Sequence, residues 1–312
     1  MRRLTVFLVV ALLMGVIPVQ VNAARSIDAR LESVLAKTNG RAAVVAVYGR
    51  RVVAAAGRDA NEFSPLHLAS VSKTLTAVAV MRLAERGDIF LSKPIGGYLR
   101  GKYDLREEIA SQPVSAFLNH ATGLRSNNMQ AVSRGLTSWR EYAEQAAMGR
   151  TSSAVGRYLY SNDNYVLLTA LVEAVAERPF NVAIEQLVWD PLGVPGGYLD
   201  VTSRGTQVLG GAGAWVASPF AIAVLFNALN PTTPGKKLLS DEWLLRMHDV
   251  AYSGEYRNGL RYRNGAWGHT GSLYKVRAAA VVARSGTVYV VLSEGAKPAS
   301  SEGLFDALAR LG

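Results

Sequence analysis

A serine hydroxyl and a lysine amine stand three residues apart in Ser70-Val71-Ser72-Lys73, at the start of an apolar run. That run, with Val71, Leu75, Val78, Ala79 and Leu83 at helical spacing and Gly87 after Arg86, predicts a helix that puts Ser70 and Lys73 on one face. The chemistry available to such a pair is acyl transfer, with the serine as nucleophile and the amine as its base. The amine serves only when neutral, so burial or a neighbouring cation must lower its pKa by about 3 units, roughly 4 kcal/mol. A helix N-terminus also supplies unpaired N–H groups for the negative charge that develops on an attacked carbonyl. Taken by itself, the same spacing also describes an N-cap serine and a solvated lysine.

Two more polar groups suit this chemistry. Tyr160-Ser161-Asn162 precedes the apolar run Tyr165 to Val172, so it belongs at a loop-to-helix junction. A phenol beside an amine relays a proton, and an asparagine amide orients a lysine or a substrate carbonyl. Tyr256-Arg257-Asn258 and Tyr262-Arg263-Asn264 have the same spacing. They lie on the approach to the next motif, and choosing them would leave the middle of the chain without a catalytic group, so Tyr160 is preferred. His269-Thr270-Gly271-Ser272 reads as an edge strand: Gly271 admits a substrate close to the backbone, Thr270 offers a hydroxyl, and the N–H of Ser272 pairs with that of Ser70 as an oxyanion hole. His67, His120 and His248 read as packed or solvated histidines.

The elements that must position these groups follow from the hydrophobic pattern. Residues 26 to 38 read as an opening helix closed by Asn39-Gly40, and Ala42 to Tyr48 with Arg51 to Ala56 flank Gly49-Arg50 as a hairpin. From about Leu91 to Thr206 strand signal nearly vanishes, with helices expected around Val114 to Asn119, Ser138 to Ala147, Tyr165 to Glu177 and Val182 to Val188. A helix follows at Pro219 to Leu229, strands at Val276 to Arg284 and Thr287 to Ser293, and a last helix at Leu304 to Leu311. Strand-rich ends around a helical middle predict an α/β lobe, residues 24–90 plus 207–312, carrying a helical lobe, residues 91–206, with a cleft between them.

Residues 1–23 combine Arg2-Arg3, the apolar run Leu4 to Ile17 and Val21-Asn22-Ala23, the pattern of a cleaved secretory leader. A periplasmic or secreted protein with no stable membrane span after cleavage is expected, and with no cysteine it is held by its core alone. The chain carries net charge +10, and beyond Arg2 and Arg3 it has 32 basic against 24 acidic residues. Arg257, Arg261, Arg263, Lys275 and Arg277 form the densest basic stretch, suited to an anionic substrate or cell-wall surface. Nucleic acid is not expected, because no basic run is interleaved with stacking aromatics. No histidine pair has metal-ligand spacing, so neither metal nor cofactor is expected, and no Gly-x-Ser-x-Gly turn supports an α/β-hydrolase.

Leu68 to Ala77, Leu118 to Leu124 (LNHATGL), Tyr160 to Tyr165 and Gly210 to Trp215, together with His269 to Ser272, resemble in order the motifs of the serine β-lactamase and penicillin-binding protein family. The nearest branch is that of class C β-lactamases, extracellular DD-peptidases and related esterases. The resemblance implies an α/β (α+β) class β-lactamase-like fold, in which an antiparallel sheet flanked by helices carries an inserted all-helical lobe. It implies Ser70 as the acylated nucleophile, Lys73 and Tyr160 as shared base and acid, and Asn162 as substrate-positioning. It places the oxyanion N–H groups at Ser70 and Ser272, and His269 and Thr270 on the substrate-carboxylate side. His269 stands where β-lactamases of this branch usually carry lysine, and histidine is mostly neutral at pH 7. A substrate carboxylate must then rely on Thr270 or on one of Arg257, Arg261 and Arg263. Glu173, Glu177 and Glu185 fit a solvated helix face better than a water-activating loop.

The expected activity is hydrolysis through an acyl-enzyme on Ser70, acting on D-alanyl peptides of peptidoglycan or on β-lactams. A small-ester esterase uses the same residues, and a non-hydrolytic penicillin-binding or wall-binding module would bind without turnover. The expected partner is a small molecule or cell-wall peptide, and the expected state is a monomer.

Overall fold

The computed structural model describes residues 18–125, 135–203, 205–295 and 300–312. The apolar run of the expected leader, Leu4 to Ile17, lies outside the described residues. Among the described residues no helix is long and apolar enough to cross a membrane. Helix α1 (Pro18–Leu35) leads into strands β1 (Arg41–Tyr48) and β2 (Arg51–Arg58), the hairpin expected around Gly49-Arg50. Strand β3 (Leu66–His67) precedes a single 3-10 turn, Ala69–Val71, that runs straight into α2 (Ser72–Glu85). Helices occupy Gly96–Leu99, Glu107–Ala110, Val114–Leu118, Trp139–Ala147, Asn162–Ala176 and Phe180–Ile184, the last continued by a π-turn at Glu185–Trp189. Then come β4 (Tyr198–Leu199), β5 (Trp215–Ala217) and helices Pro219–Ala228 and Asp241–His248. Strands β6 (Tyr256–Arg257), β7 (Leu260–Arg263), β8 (Ala266–Leu273), β9 (Val276–Val282) and β10 (Val288–Glu294) precede a closing helix, Ser301–Ala309.

Seven strands form one antiparallel sheet in the order β2-β1-β10-β9-β8-β7-β6. Strand β1 is apolar at consecutive positions, Ala42 to Val47, because it is covered on both faces. Val44 and Ala46 pack with Leu31, Val34, Leu304 and Phe305, so α1 and the closing helix cover one face. Ala43, Val45 and Val47 belong to the other core, with α2 and the Pro219–Ala228 helix. A second sheet, β3-β5-β4, is built from strands of two or three residues, too short for any periodic signal in the sequence.

The expected edge position of His269 to Ser272 holds in part. Strand β8 pairs with β9 along its whole length, but with β7 only over Ala266 to Gly268. Its second half therefore has one side unpaired, and that side faces the Ser70 turn. Gly271 makes the approach feasible: a Cβ there would lie 2.4 Å from the carbonyl oxygen of Leu68.

Candidate active site

Ser70 sits in the 3-10 turn, after Ala69 at φ +46°, a left-handed conformation that costs a non-glycine residue energy. One turn on, Lys73 projects from α2 and is 0% exposed. Its Nζ has three partners: Ser70 Oγ at 3.1 Å, Asn162 Oδ1 at 2.7 Å and the carbonyl oxygen of Ala212 at 2.6 Å. The two carbonyl oxygens only accept. A neutral amine gives them its two N–H groups, which leaves its lone pair for the hydroxyl proton of Ser70. Burial, and next the charge of Arg261, hold the Lys73 pKa well below the usual lysine range, which shifts the balance toward the neutral form.

Ala212 reaches Lys73 because Gly210-Gly211 lie flat against α2. A Cβ on Gly211 would meet Thr76 Oγ1 at 2.3 Å and Phe180 Cζ at 2.6 Å. Thr76 Oγ1 donates to the carbonyl of Gly211 (2.9 Å), and the N–H of Trp215 donates to Ser72 Oγ (3.2 Å), locking this segment to the nucleophile helix. The backbone carbonyl is a component that sequence reasoning missed; the glycine pair was its only visible sign.

Ser161 caps the Asn162–Ala176 helix by accepting the N–H of Asp163 (3.2 Å), so Asn162 points from the first turn toward Lys73. Tyr160 precedes that cap. Its hydroxyl is hydrogen-bonded to Ser70, and its ring centroid lies 5.0 Å from Lys73 Nζ. Burial pushes the phenol pKa up, against smaller opposing effects of Ser70 and Arg261, so Tyr160 rests as a phenol. Of the two tyrosines with the same sequence spacing, Tyr256 lies behind Tyr160, edge-on to its ring at 6.2 Å between centroids. Tyr256 packs beside Tyr165 and His269, and Tyr262 pairs with His248.

His120, read from sequence as a packed or solvated histidine, is buried in contact with the tyrosine segment. Its Nδ1 accepts from the N–H of Ser161 (3.2 Å) and faces Asn164 Nδ2 (3.2 Å), while its backbone oxygen accepts from the N–H of Leu159 (2.8 Å). Its ring packs against that of Tyr160, tilted by 37° with centroids 4.3 Å apart. The residue thus holds the chain on both sides of Tyr160, from a backbone at φ +53°. Burial holds the His120 pKa well below the usual histidine range, so the imidazole is neutral.

Thr270 lines a cavity of about 390 Å³ with Tyr158, Glu255, Arg261, Glu302 and Phe305. The His269 ring does not line it. It is buried, Nδ1–H donating to the carbonyl of Thr270 (2.7 Å) and Nε2 accepting from Tyr256 Oη (3.1 Å), and burial with the Arg261 charge holds it neutral. Of the three arginines, Arg261 alone donates to Thr270 Oγ1, and it also pairs with Glu302 Oε1 at 3.2 Å. Arg257 lies over the Tyr262 ring (3.8 Å), and Arg263 is held by Asp306 at 2.7 and 3.0 Å. Glu173 is likewise engaged, by Arg140 and by the N–H of Phe180.

The turn before Ser70 is anchored by a charged node. His67 on β3 bonds Glu294 Oε1 through Nδ1 (2.7 Å) and Asp200 Oδ2 through Nε2 (3.1 Å). The Glu294 hydrogen bond, against burial, raises the His67 pKa, with Asp200 adding to it. Among the described residues no group of three His, Cys, Asp or Glu side chains is arranged to hold a metal ion.

Ser70, in the turn that leads into α2, and the buried Lys73 on that helix face a half-open strand of an antiparallel sheet, and the chain is a serine hydrolase. The chain belongs to the Beta-lactamase family, whose model matches residues 27–311. A search of curated protein sequences finds no match. Solved structures extend the likeness of fold. SurE, solved with D-Leu, is 19% identical with TM-score 0.75, covering 93% of this chain and 75% of that one. The octameric penicillin-binding protein homologue from Pyrococcus abyssi is 19% identical with TM-score 0.75, covering 93% and 77%. The D-amino acid amidase from Ochrobactrum anthropi SV3, complexed with L-phenylalanine amide, is 17% identical with TM-score 0.74, covering 93% and 97%.

Proposed function

We propose that this serine hydrolase forms an acyl-enzyme on Ser70 and acts on D-alanyl peptides of peptidoglycan or on β-lactams, after export directed by residues 1–23. The observation that carries the reading is the fully buried Lys73 amine, 3.1 Å from Ser70 Oγ and held by Asn162 Oδ1 at 2.7 Å and the carbonyl oxygen of Ala212 at 2.6 Å. Lys73 takes the serine proton as Oγ attacks the carbonyl. Tyr160, a phenol at rest, passes a proton to the departing group and takes one back from water in deacylation, as Lys73 returns its proton to Ser70 Oγ. Asn162 fixes the lysine, and the N–H groups of Ser70 and Ser272 receive the oxyanion, each such donor contributing about 10² to 10³ in rate. Gly271 sets the distance between them. Arg261 and Thr270 hold the substrate's acidic group. His269 supports this wall from behind, through Tyr256 and the Thr270 carbonyl, rather than touching substrate. The cleft lies between an α/β lobe of residues 24–90 plus 207–312 and a helical lobe of residues 91–206, in a protein expected to act as a monomer.

An intact-mass time course of the mature protein with benzylpenicillin, beside Ser70→Ala, tests the reading. A persistent Ser70-dependent adduct marks a penicillin-binding peptidase, and a transient adduct with product release marks a β-lactamase. Ester turnover at Ser70 with no adduct would move the assignment to a small-ester esterase, and an adduct on Ser70→Ala would remove the nucleophile.

A further inference from the structure

The charges around the Arg261 cavity do not leave a free cation. Arg261 is already paired with Glu302 Oε1 (3.2 Å), while the other oxygen of that carboxylate accepts from Ser301 Oγ (2.9 Å) and Ser300 Oγ (3.3 Å). Glu302 stands in the first turn of the closing helix, where the positive end of the helix dipole favours an anion. Burial acts to raise its pKa, but its own backbone N–H, Ser301 and Arg261 outweigh that and hold it ionised. A second carboxylate, Glu255, lines the same cavity with no ion pair or side-chain hydrogen bond among the described residues. Arg263, also on the wall, is neutralised by Asp306.

A lone carboxylate entering here must share Arg261 with Glu302 and face two negative charges. A lone ammonium would draw Glu302 away and strand Arg261. A group carrying both signs exchanges one internal pair for two intermolecular ones, with its carboxylate on Arg261 and its ammonium on Glu302 or Glu255. We propose that this cavity is a subsite for a zwitterionic amino-acid group, and that Glu302 is the residue that selects it over a simple anion. The inference rests on the reading of Arg261 and Thr270 as the acid-binding wall, and it adds that, among substrates presenting a carboxylate here, those that also carry a free ammonium beside it are preferred.

The test is a binding measurement by calorimetry with three probes sharing one apolar body: D-phenylalanine (zwitterion), 3-phenylpropanoate (anion) and D-phenylalaninamide (cation). None needs to acylate Ser70, so a failure of the penicillin experiment would leave this test intact. The wild type is expected to bind D-phenylalanine tighter than 3-phenylpropanoate by about five- to tenfold. Glu302→Gln, a change at a side chain 47% exposed, is expected to reverse the order by strengthening the anion and weakening the zwitterion. A wild type that prefers 3-phenylpropanoate, or a Glu302→Gln variant that shifts both ligands alike or neither, would overturn the proposal. If the variant does not fold, the wild-type ranking alone decides.

Discussion

Replacing Asn162 by Asp tests the protonation state on which the mechanism stands. The side-chain oxygen of Asn162 is 2.7 Å from Lys73 Nζ. A full negative charge there, at an effective dielectric near 20, attracts an ammonium by about 6 kcal/mol. The cost of burying the new carboxylate takes back much of this, and observed shifts for such pairs run to about 1–3 pK units. The sign is upward. Lys73 acts as a base only when neutral, so the acidic limb of the pH–rate profile should move to higher pH by about 1–3 units. At pH values on or below the wild-type limb, Ser70 acylation should fall about 10- to 10³-fold, since each unit there is tenfold in neutral amine. The assay is the rate of Ser70 acylation, or of nitrophenyl ester hydrolysis, from pH 5 to 10 for wild type, Asn162→Asp and Asn162→Ala. The Asp variant should recover toward the wild-type plateau at high pH. A profile lowered uniformly, with its limb unmoved, would refute the reasoning and leave Asn162 a contact for substrate alone.

Tyr160→Phe should lower turnover by about 10² to 10⁴ with little effect on ligand binding, while Tyr256→Phe and Tyr262→Phe remain within about tenfold of wild type in steady-state kinetics. A reversed pattern would transfer the proton role to one of the other tyrosines. His120→Asn should keep most activity, because asparagine tolerates φ near +53° and offers an acceptor to the N–H of Ser161; His120→Ala should lose about tenfold in kcat or more, and equal losses would show that packing alone matters. His67 binds its proton more tightly folded than unfolded. Its contribution is therefore complete below the unfolded value near 6.5 and lost as pH rises through the raised folded value. Melting curves should place wild type about 2–4 °C above His67→Gln at pH 5.5, with the gap closing toward pH 9; a gap constant with pH would refute the charged node.

The parts of the site visible in sequence are those where side-chain chemistry and local period coincide. Ser70 and Lys73 open a helix whose pattern is plain, and Ser161 caps the next helix in a recognisable way. What stayed hidden depends on backbone or on tertiary choice. Ala212 contributes a carbonyl, which no residue type announces. Arg261 could not be separated from Arg257 and Arg263, because only the tertiary placement of β6 and β7 beside β8 puts Arg261, opposite Gly268, within reach of Thr270. The three-stranded sheet β3-β5-β4 has too few residues per strand for alternation to register. His120 does its work through a left-handed backbone that an ordinary packed histidine would not need. His269 was placed toward substrate by likeness to a lysine position, yet a neutral ring is more stable buried against Tyr256 than a charged one would be.

The sheet joins the two ends of the chain: Arg41 pairs with Glu294, and β1 lies between β2 and β10. Until β10 has been synthesised, β1 has a partner on one side only, and the floor beneath the Ser70 turn is missing. Closing that span is a slow, non-local event. The Ser70 turn therefore lacks its support until β10 has docked beside β1. A truncation anywhere before β10 should yield an inactive chain rather than a weakened one, because β1 is left with a partner on one side only.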